Sequence, residues 1–282
     1  MRNKLQLSGR LAISAAALIL LGVLPASAQV QAPAPLPPDR ERILPPNTDA
    51  TRIADLVVAN HILDAQGVLD GFGHISARSV SNPKHYFMAR SRAPGLVTKE
   101  DILEFDENGV PIDQKGSELY SERFIHGEIY RVRPDVQSVI HSHTYVVLPY
   151  TVTKAPLKAV IHVANFLGTE GAPVFDLATV SGADNRMLVQ NTTTGSALAR
   201  VLGNRWVALL RGHGMAVAGT SIRDSVFKAI YTRINAQVET KALRLDKGRG
   251  TVKYLNQYEV LRQGRTERQW ELWVTELEQA GK

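Results

Sequence analysis

The chain contains no cysteine. Disulfides, thiolate metal sites and cysteine nucleophiles are thereby excluded, and any metal centre must use nitrogen and oxygen ligands. It also lacks a dense lysine and arginine cluster with interleaved aromatics, so nucleic acid is not expected as a partner. No internal repeat is visible. What is present is ordinary for a chain that buries a core: 44% hydrophobic and 21% charged residues over 282 positions.

The one long apolar run stands near the start. "MRNKLQLSGR" carries Arg2, Lys4 and Arg10 without an acid, "LAISAAALILLGVLP" is apolar, and "ASA" precedes Gln29. A basic start, a short apolar stretch and a small-residue site form the layout of a secretory signal peptide. The run of about 15 residues is shorter than the roughly 20 a helix needs to span a bilayer; a retained anchor is the alternative. Residues 1–28 are therefore expected to be a leader, without a twin-arginine pair, and the protein to be exported, periplasmic or secreted, with no membrane attachment once the leader is removed. The leader holds three of the basic residues behind the formal net charge of +6, so the basic balance is partly a property of targeting.

Residues 29–46 are expected to be a proline-rich arm, since proline supplies no amide donor and forces its predecessor extended. Regular patterning begins at 47 and predicts one domain over 47–282. "TDATRIADLVVANHILDAQGVL" carries a helical apolar stripe ending near Gly67, and "GFGHISARSVSNPKHYFMARSRAPG" reads as a hairpin. "ILEFD" is a strand. "SERFIHGEIYRVRP" is a helix with Ser121 as candidate N-cap, and "VQSVIHSH" a strand. "ADNRMLVQNTTTGSALARVLG" is helical, "RWVALLRGHG" a strand entering a glycine turn, and "SIRDSVFKAIYTRINAQVETKALRLD" a long amphipathic helix. Such alternation around one sheet predicts a mixed α/β domain, with recurrent hairpin signals favouring antiparallel pairing.

His141 and His143 end an apolar strand at i and i+2, a spacing that puts both side chains on one face. They could converge on one ion, or serve as polar strand-end residues making hydrogen bonds. His213 lies between Gly212 and Gly214 in "LLRGHGMAVAG", where glycine permits positive φ and close backbone approach. Three imidazoles with an open position suit a catalytic metal site; a tight turn with a solvated histidine is the alternative. Glu122, just before the H-x-H strand, reads either as a site carboxylate or as an acid favoured in the first turn of a helix.

In order along the chain, "YSERFIHGEIYRVRPDVQSVIHSHTYVVLPYTV", "LLRGHGMAVAG" and the helix "SVFKAIYTRINAQVETKAL" resemble the class II aldolase/adducin family over roughly residues 50–250. The resemblance implies a three-layer α/β/α fold with a mixed, largely antiparallel central sheet, assembled as a homotetramer. It implies His141, His143 and His213 as ligands of a divalent metal, Zn2+ or Mn2+, and Glu122 as the acid/base residue and a further ligand. In that family a divalent ion on substrate carbonyl or hydroxyl oxygens stabilises an enolate-like intermediate while a carboxylate moves the proton.

Departures from the family's phosphosugar members bear on substrate. Those members carry Asn in a phosphate-contacting turn, where this chain has "GFGHISAR" with His74; the following loop reads "MARSRAPG". Gly73, His74, Arg90 and Ser91 match the branch of aromatic carboxylate decarboxylases, and with Ser121 are the expected substrate-binding residues. Arg90 would engage a carboxylate through two parallel hydrogen bonds, or is a surface charge. His126 is expected to support the site rather than bind metal. The resemblance thus implies a metal-dependent lyase that cleaves a C–C bond, by decarboxylation or retro-aldol cleavage, in a small hydroxy- or oxo-carboxylate. A sugar-phosphate aldolase or epimerase, and a non-catalytic adducin-like binding domain, are the alternatives.

Overall fold

The computed structural model describes residues 47–113, 116–261 and 266–281. The expected leader and proline-rich arm lie outside them. Among the described residues, no helix is long and apolar enough to cross a membrane.

A single sheet positions everything that follows. Its strands are β1 (His74–Arg78), β2 (His85–Ala89), β3 (Ile102–Asp106), β4 (Ser138–Ser142), β5 (Val174–Phe175), β6 (Val207–Leu210) and β7 (Gly214–Gly219), in the order β3-β2-β1-β4-β7-β6-β5. Every pairing is antiparallel except β5 with β6. The expected mixed, largely antiparallel sheet is the one observed. The helices are α1 (Asp49–Ala65), α2 (Phe124–Val132), α3 (Leu148–Val152), α4 (Ala178–Ser181), α5 (Thr192–Leu202), α6 (Ile222–Asp246) and α7 (Glu267–Gln279).

Side chains on a strand alternate between faces, and each face has its own apolar core. Ile75, Ile140 and Val217 pack with Leu56 and Ile62 of α1, Val226 and Ile230 of α6, and Trp270 and Trp273 of α7. Val139, Ala208 and Ala216 pack with Ile125 and Ile129 of α2 and Leu198 and Leu202 of α5. The central strands β1, β4 and β7 are buried on both faces, as a layered α/β/α arrangement requires.

Two local expectations are corrected. The turn at 121–123 precedes α2, whose N-cap is Arg123 with no side-chain cap bond. Ser121 is therefore not the cap, and Glu122 lies before the helix rather than in its first turn. Residues 183–191, expected as helix, are irregular, and α5 starts only at Thr192, where the Asn191 side chain accepts from the Thr194 N–H. That cap ends the irregular segment by satisfying a free helix amide.

Candidate metal centre

In register, His141 of β4 stands beside His74 of β1 and Ala216 of β7. By strand alternation it shares the face of Val139, toward α2 and α5. His143 follows one residue past the strand end. The β6–β7 turn brings His213 to the same place. Gly212 adopts φ +64°, and a Cβ on Gly214 would lie 2.1 Å from the Ser142 carbonyl oxygen. One glycine supplies the left-handed turn and the other the close approach.

The structure brings Glu122, His141, His143 and His213 together, with one ligand atom from each within 4.8 Å of the others. His141 Nε2 is 2.9 Å from His143 Nε2, which is 2.8 Å from His213 Nε2. Glu122 Oε2 lies 3.2 Å from His141, 3.3 Å from His213 and 3.8 Å from His143. Its other oxygen accepts from the Val189 N–H at 2.9 Å.

The donor set fits a divalent cation. His141 Nδ1 is 3.1 Å from the Met215 carbonyl, which can only accept. Nδ1 therefore carries the proton and Nε2 turns its lone pair toward the cluster. Three imidazoles and one carboxylate are nitrogen and oxygen ligands of the kind zinc and manganese take. Burial opposes charge on His141 and holds its pKa below the ordinary value, with Glu122 pulling the other way. Burial alone would raise the Glu122 pKa; the three imidazoles gathered around it, His141 foremost, outweigh burial and hold the carboxyl well below the usual range. Both therefore favour their ligating, deprotonated forms.

Next to the cluster is a cavity of about 600 Å³, bordered by Glu122, His143, Gly73, His74, Ser91 and Ser121, with Phe72, Arg92, Tyr120 and Leu188 among its other walls. Gly73 adopts φ +84°, and a Cβ there would meet the His141 carbonyl oxygen at 2.8 Å. The His74 ring packs against Tyr120 and His141, with centroids 4.5 and 5.3 Å away. His74 Nδ1 is 2.7 Å from His126 Nε2. Burial, with His126 and His141 nearby, keeps His74 neutral well below its ordinary pKa; burial and His141 push His126 down to about 3. His126 thus supports His74 and is not one of the converging ligands.

Arg90 does not border this cavity. Its Nε donates to Asp101 at 2.6 Å, so the guanidinium expected to face substrate is committed to a buried carboxylate. Arg92 does border the cavity, and its Nε lies 3.3 Å from the same Asp101 and donates to the Leu96 carbonyl at 2.6 Å. The Tyr120 hydroxyl donates to the Arg92 carbonyl and ties the loop to the segment before Glu122. Sequence reasoning did not single out Arg92, Tyr120, Phe72 or Val189. The first three flank residues that it did name; nothing in "MLVQN" marks the Val189 amide as a carboxylate partner.

Residues 54–240 match the family described as Class II Aldolase and Adducin N-terminal domain. The protein named decarboxylase tropJ of Talaromyces stipitatus is 38% identical over 245 residues, covering 78% of this chain and 92% of that protein. A 3,4-dihydroxyphthalate decarboxylase of Arthrobacter keyseri is 30% identical over 66% of this chain and 76% of its own length. Among solved structures, an L-fuculose 1-phosphate aldolase from Glaciozyma antarctica superposes with a TM-score of 0.64 at 21% identity, covering 84% of this chain and 94% of that one. This last likeness is one of fold.

Proposed function

The chain belongs to the class II aldolase and adducin family, and on that premise we propose that it is a metal-dependent carbon–carbon lyase that decarboxylates a small hydroxy- or oxo-carboxylate. The observation that carries the reading is the convergence of His141, His143 and His213 with Glu122 at the wall of the cavity. The two relatives named as decarboxylases support decarboxylation over retro-aldol cleavage.

The three histidines and Glu122 would hold the cation, Zn2+ or Mn2+. When bound, the cation supplies a Lewis acid that draws electron density from substrate oxygens. The chain's own groups divide the remaining work. Arg92 brings positive charge to the cavity wall, which favours binding of an anionic substrate, and His74, Tyr120 and Phe72 form ring-bearing walls suited to a planar one. The bond to the carboxyl carbon breaks, carbon dioxide leaves, and the electron pair stays on the remaining carbon, which takes up a proton. Glu122, held by the Val189 amide on one oxygen, is assigned to move that proton.

The proposal includes export under the 1–28 leader, so that metal is acquired outside the cytoplasm, and assembly as a homotetramer. Phe72 and Tyr145, exposed by 68% and 75% around the His143 segment, support a covered surface there.

The test is carbon dioxide release from a panel of aromatic and aliphatic carboxylates by zinc- and manganese-loaded protein. Turnover that is lost in Glu122→Gln and His141→Ala supports the reading. Full turnover in both variants contradicts it. Competition by inorganic phosphate or a phosphosugar would favour a sugar-phosphate aldolase or epimerase instead, and absence of any bound metal an adducin-like binding domain.

A further inference from the structure

Behind His74 runs a line of polar side chains that the lyase reading leaves without a task. His74 Nδ1 is 2.7 Å from His126 Nε2, His126 Nδ1 is 2.6 Å from Ser76 Oγ, and Ser76 Oγ is 2.7 Å from the Tyr130 hydroxyl. The four are almost fully buried, His126 and Ser76 at 0% exposure. In such surroundings each proton must have an acceptor, and the direction of the whole line follows from its far end.

That end is Tyr130. Arg78 stacks over its ring at 4.7 Å, and the guanidinium itself donates to the carbonyls of Tyr130, Arg133, Val136 and Pro83. Arginine has no acceptor to offer. The hydroxyl proton of Tyr130 therefore goes to Ser76 Oγ, which in turn donates to His126 Nδ1. His126 then carries its proton on Nε2 and donates to His74 Nδ1. The reverse direction would have Ser76 donating to Tyr130 and would leave the phenol proton without an acceptor, an arrangement that burial penalises.

We propose that Tyr130, Ser76 and His126 are positioning residues that hold His74 as its Nε2–H tautomer, so that this ring presents a hydrogen-bond donor to a substrate oxygen in the cavity. The relay is static. The Tyr130 phenol is held well above its ordinary pKa by burial, so it orients protons along the line and does not supply them. The site then selects substrates carrying an acceptor, a carboxylate or phenolate oxygen, opposite His74. Such donor–acceptor matching discriminates strongly because a mismatch leaves a buried polar group unpaired. This inference rests on the cavity being the substrate site.

Nitrogen NMR of zinc-loaded protein labelled with ¹⁵N-histidine reads the tautomer directly, with His74→Gln used only to assign the signal. The relay predicts a protonated Nε2 and a bare Nδ1 on His74. Ser76→Ala should move His74 toward the other tautomer and raise KM for a carboxylate substrate about 3- to 10-fold with a smaller change in kcat. Tyr130→Phe, which keeps the ring and removes the directing proton, should move the same signal in the same sense and serves if Ser76→Ala does not fold. A protonated Nδ1 on His74 in the unmodified protein, or a tautomer indifferent to both substitutions, overturns the relay whatever the activity. The predicted tautomer in a protein that releases no carbon dioxide would support the relay and overturn the lyase reading.

Discussion

The Nε2 atoms of His141 and His143 stand 2.9 Å apart, and the Nδ1 proton of His141 is committed to the Met215 carbonyl. A lone pair aimed at a second imidazole nitrogen is favourable only with positive charge between them. Chelator treatment should therefore lower thermal stability, and zinc should restore it. At about 100 times the dissociation constant the gain is about 2.7 kcal/mol. Calorimetry with and without metal measures it; melting indifferent to metal would argue against binding at this cluster.

Arg90 and Arg92 both reach Asp101, yet only Arg92 borders the cavity. Arg92→Ala should raise KM for a carboxylate substrate by about 10- to 100-fold, the range of a charge-assisted hydrogen bond. Arg90→Ala should act mainly on stability by exposing Asp101. Steady-state kinetics paired with denaturant unfolding separates the two effects.

Gly214 is set against β4 so tightly that an added methyl would meet the Ser142 carbonyl at 2.1 Å and the His143 Cα at 3.1 Å. Gly214→Ala should destabilise the fold by about 1–3 kcal/mol or more and weaken metal binding by displacing His143 from His213. Gly71→Ala, with nothing within 4 Å of the new carbon, should leave stability nearly unchanged. Urea midpoints of the two variants make the comparison.

Two buried groups give opposite pH dependences in metal-free protein. His126 titrates near 3 when folded instead of near 6.5, so below pH 6.5 the unfolded chain binds the extra proton. Its contribution is present above 6.5 and declines by about 1.4 kcal/mol per pH unit as pH falls toward 3. Glu239, raised to about 7 mainly by burial, binds its proton in the folded state first. Its contribution is present below 4.5 and is lost as pH rises through 7. The slopes offset each other between about 4.5 and 6.5. Glu239→Gln should gain stability relative to the unmodified protein as pH rises from 4.5 to 7, a difference that unfolding curves at several pH values would show.

Much of the fold was legible because burial writes a period into the sequence. The short apolar run in "VQSVIHSH" reads as a strand, buried along its whole length, and the stripe beginning at Ile53 specifies α1. The H-x-H spacing and the glycines around His213 report local geometry, but it was the resemblance to the class II aldolase and adducin family that joined those three histidines and Glu122 into one site. What could not be read depends on distant contacts. Arg90 and Arg92 are equivalent in sequence until the fold sets both on Asp101 and puts only Arg92 beside the cavity. Ser121 looks like a helix cap until the turn at 121–123 delays α2 to Phe124. Residues 183–191 have helical composition, but they supply the Val189 amide to Glu122 across 67 positions of chain.

The central claim is that His141, His143 and His213 hold a catalytic cation, and elemental analysis of purified protein measures it most directly. After removal of metal and reloading, the account predicts about one zinc or manganese per subunit, lost in His141→Ala, with carbon dioxide release returning in step with occupancy. Absence of stoichiometric metal under every loading condition, or full activity in its absence, would contradict the account.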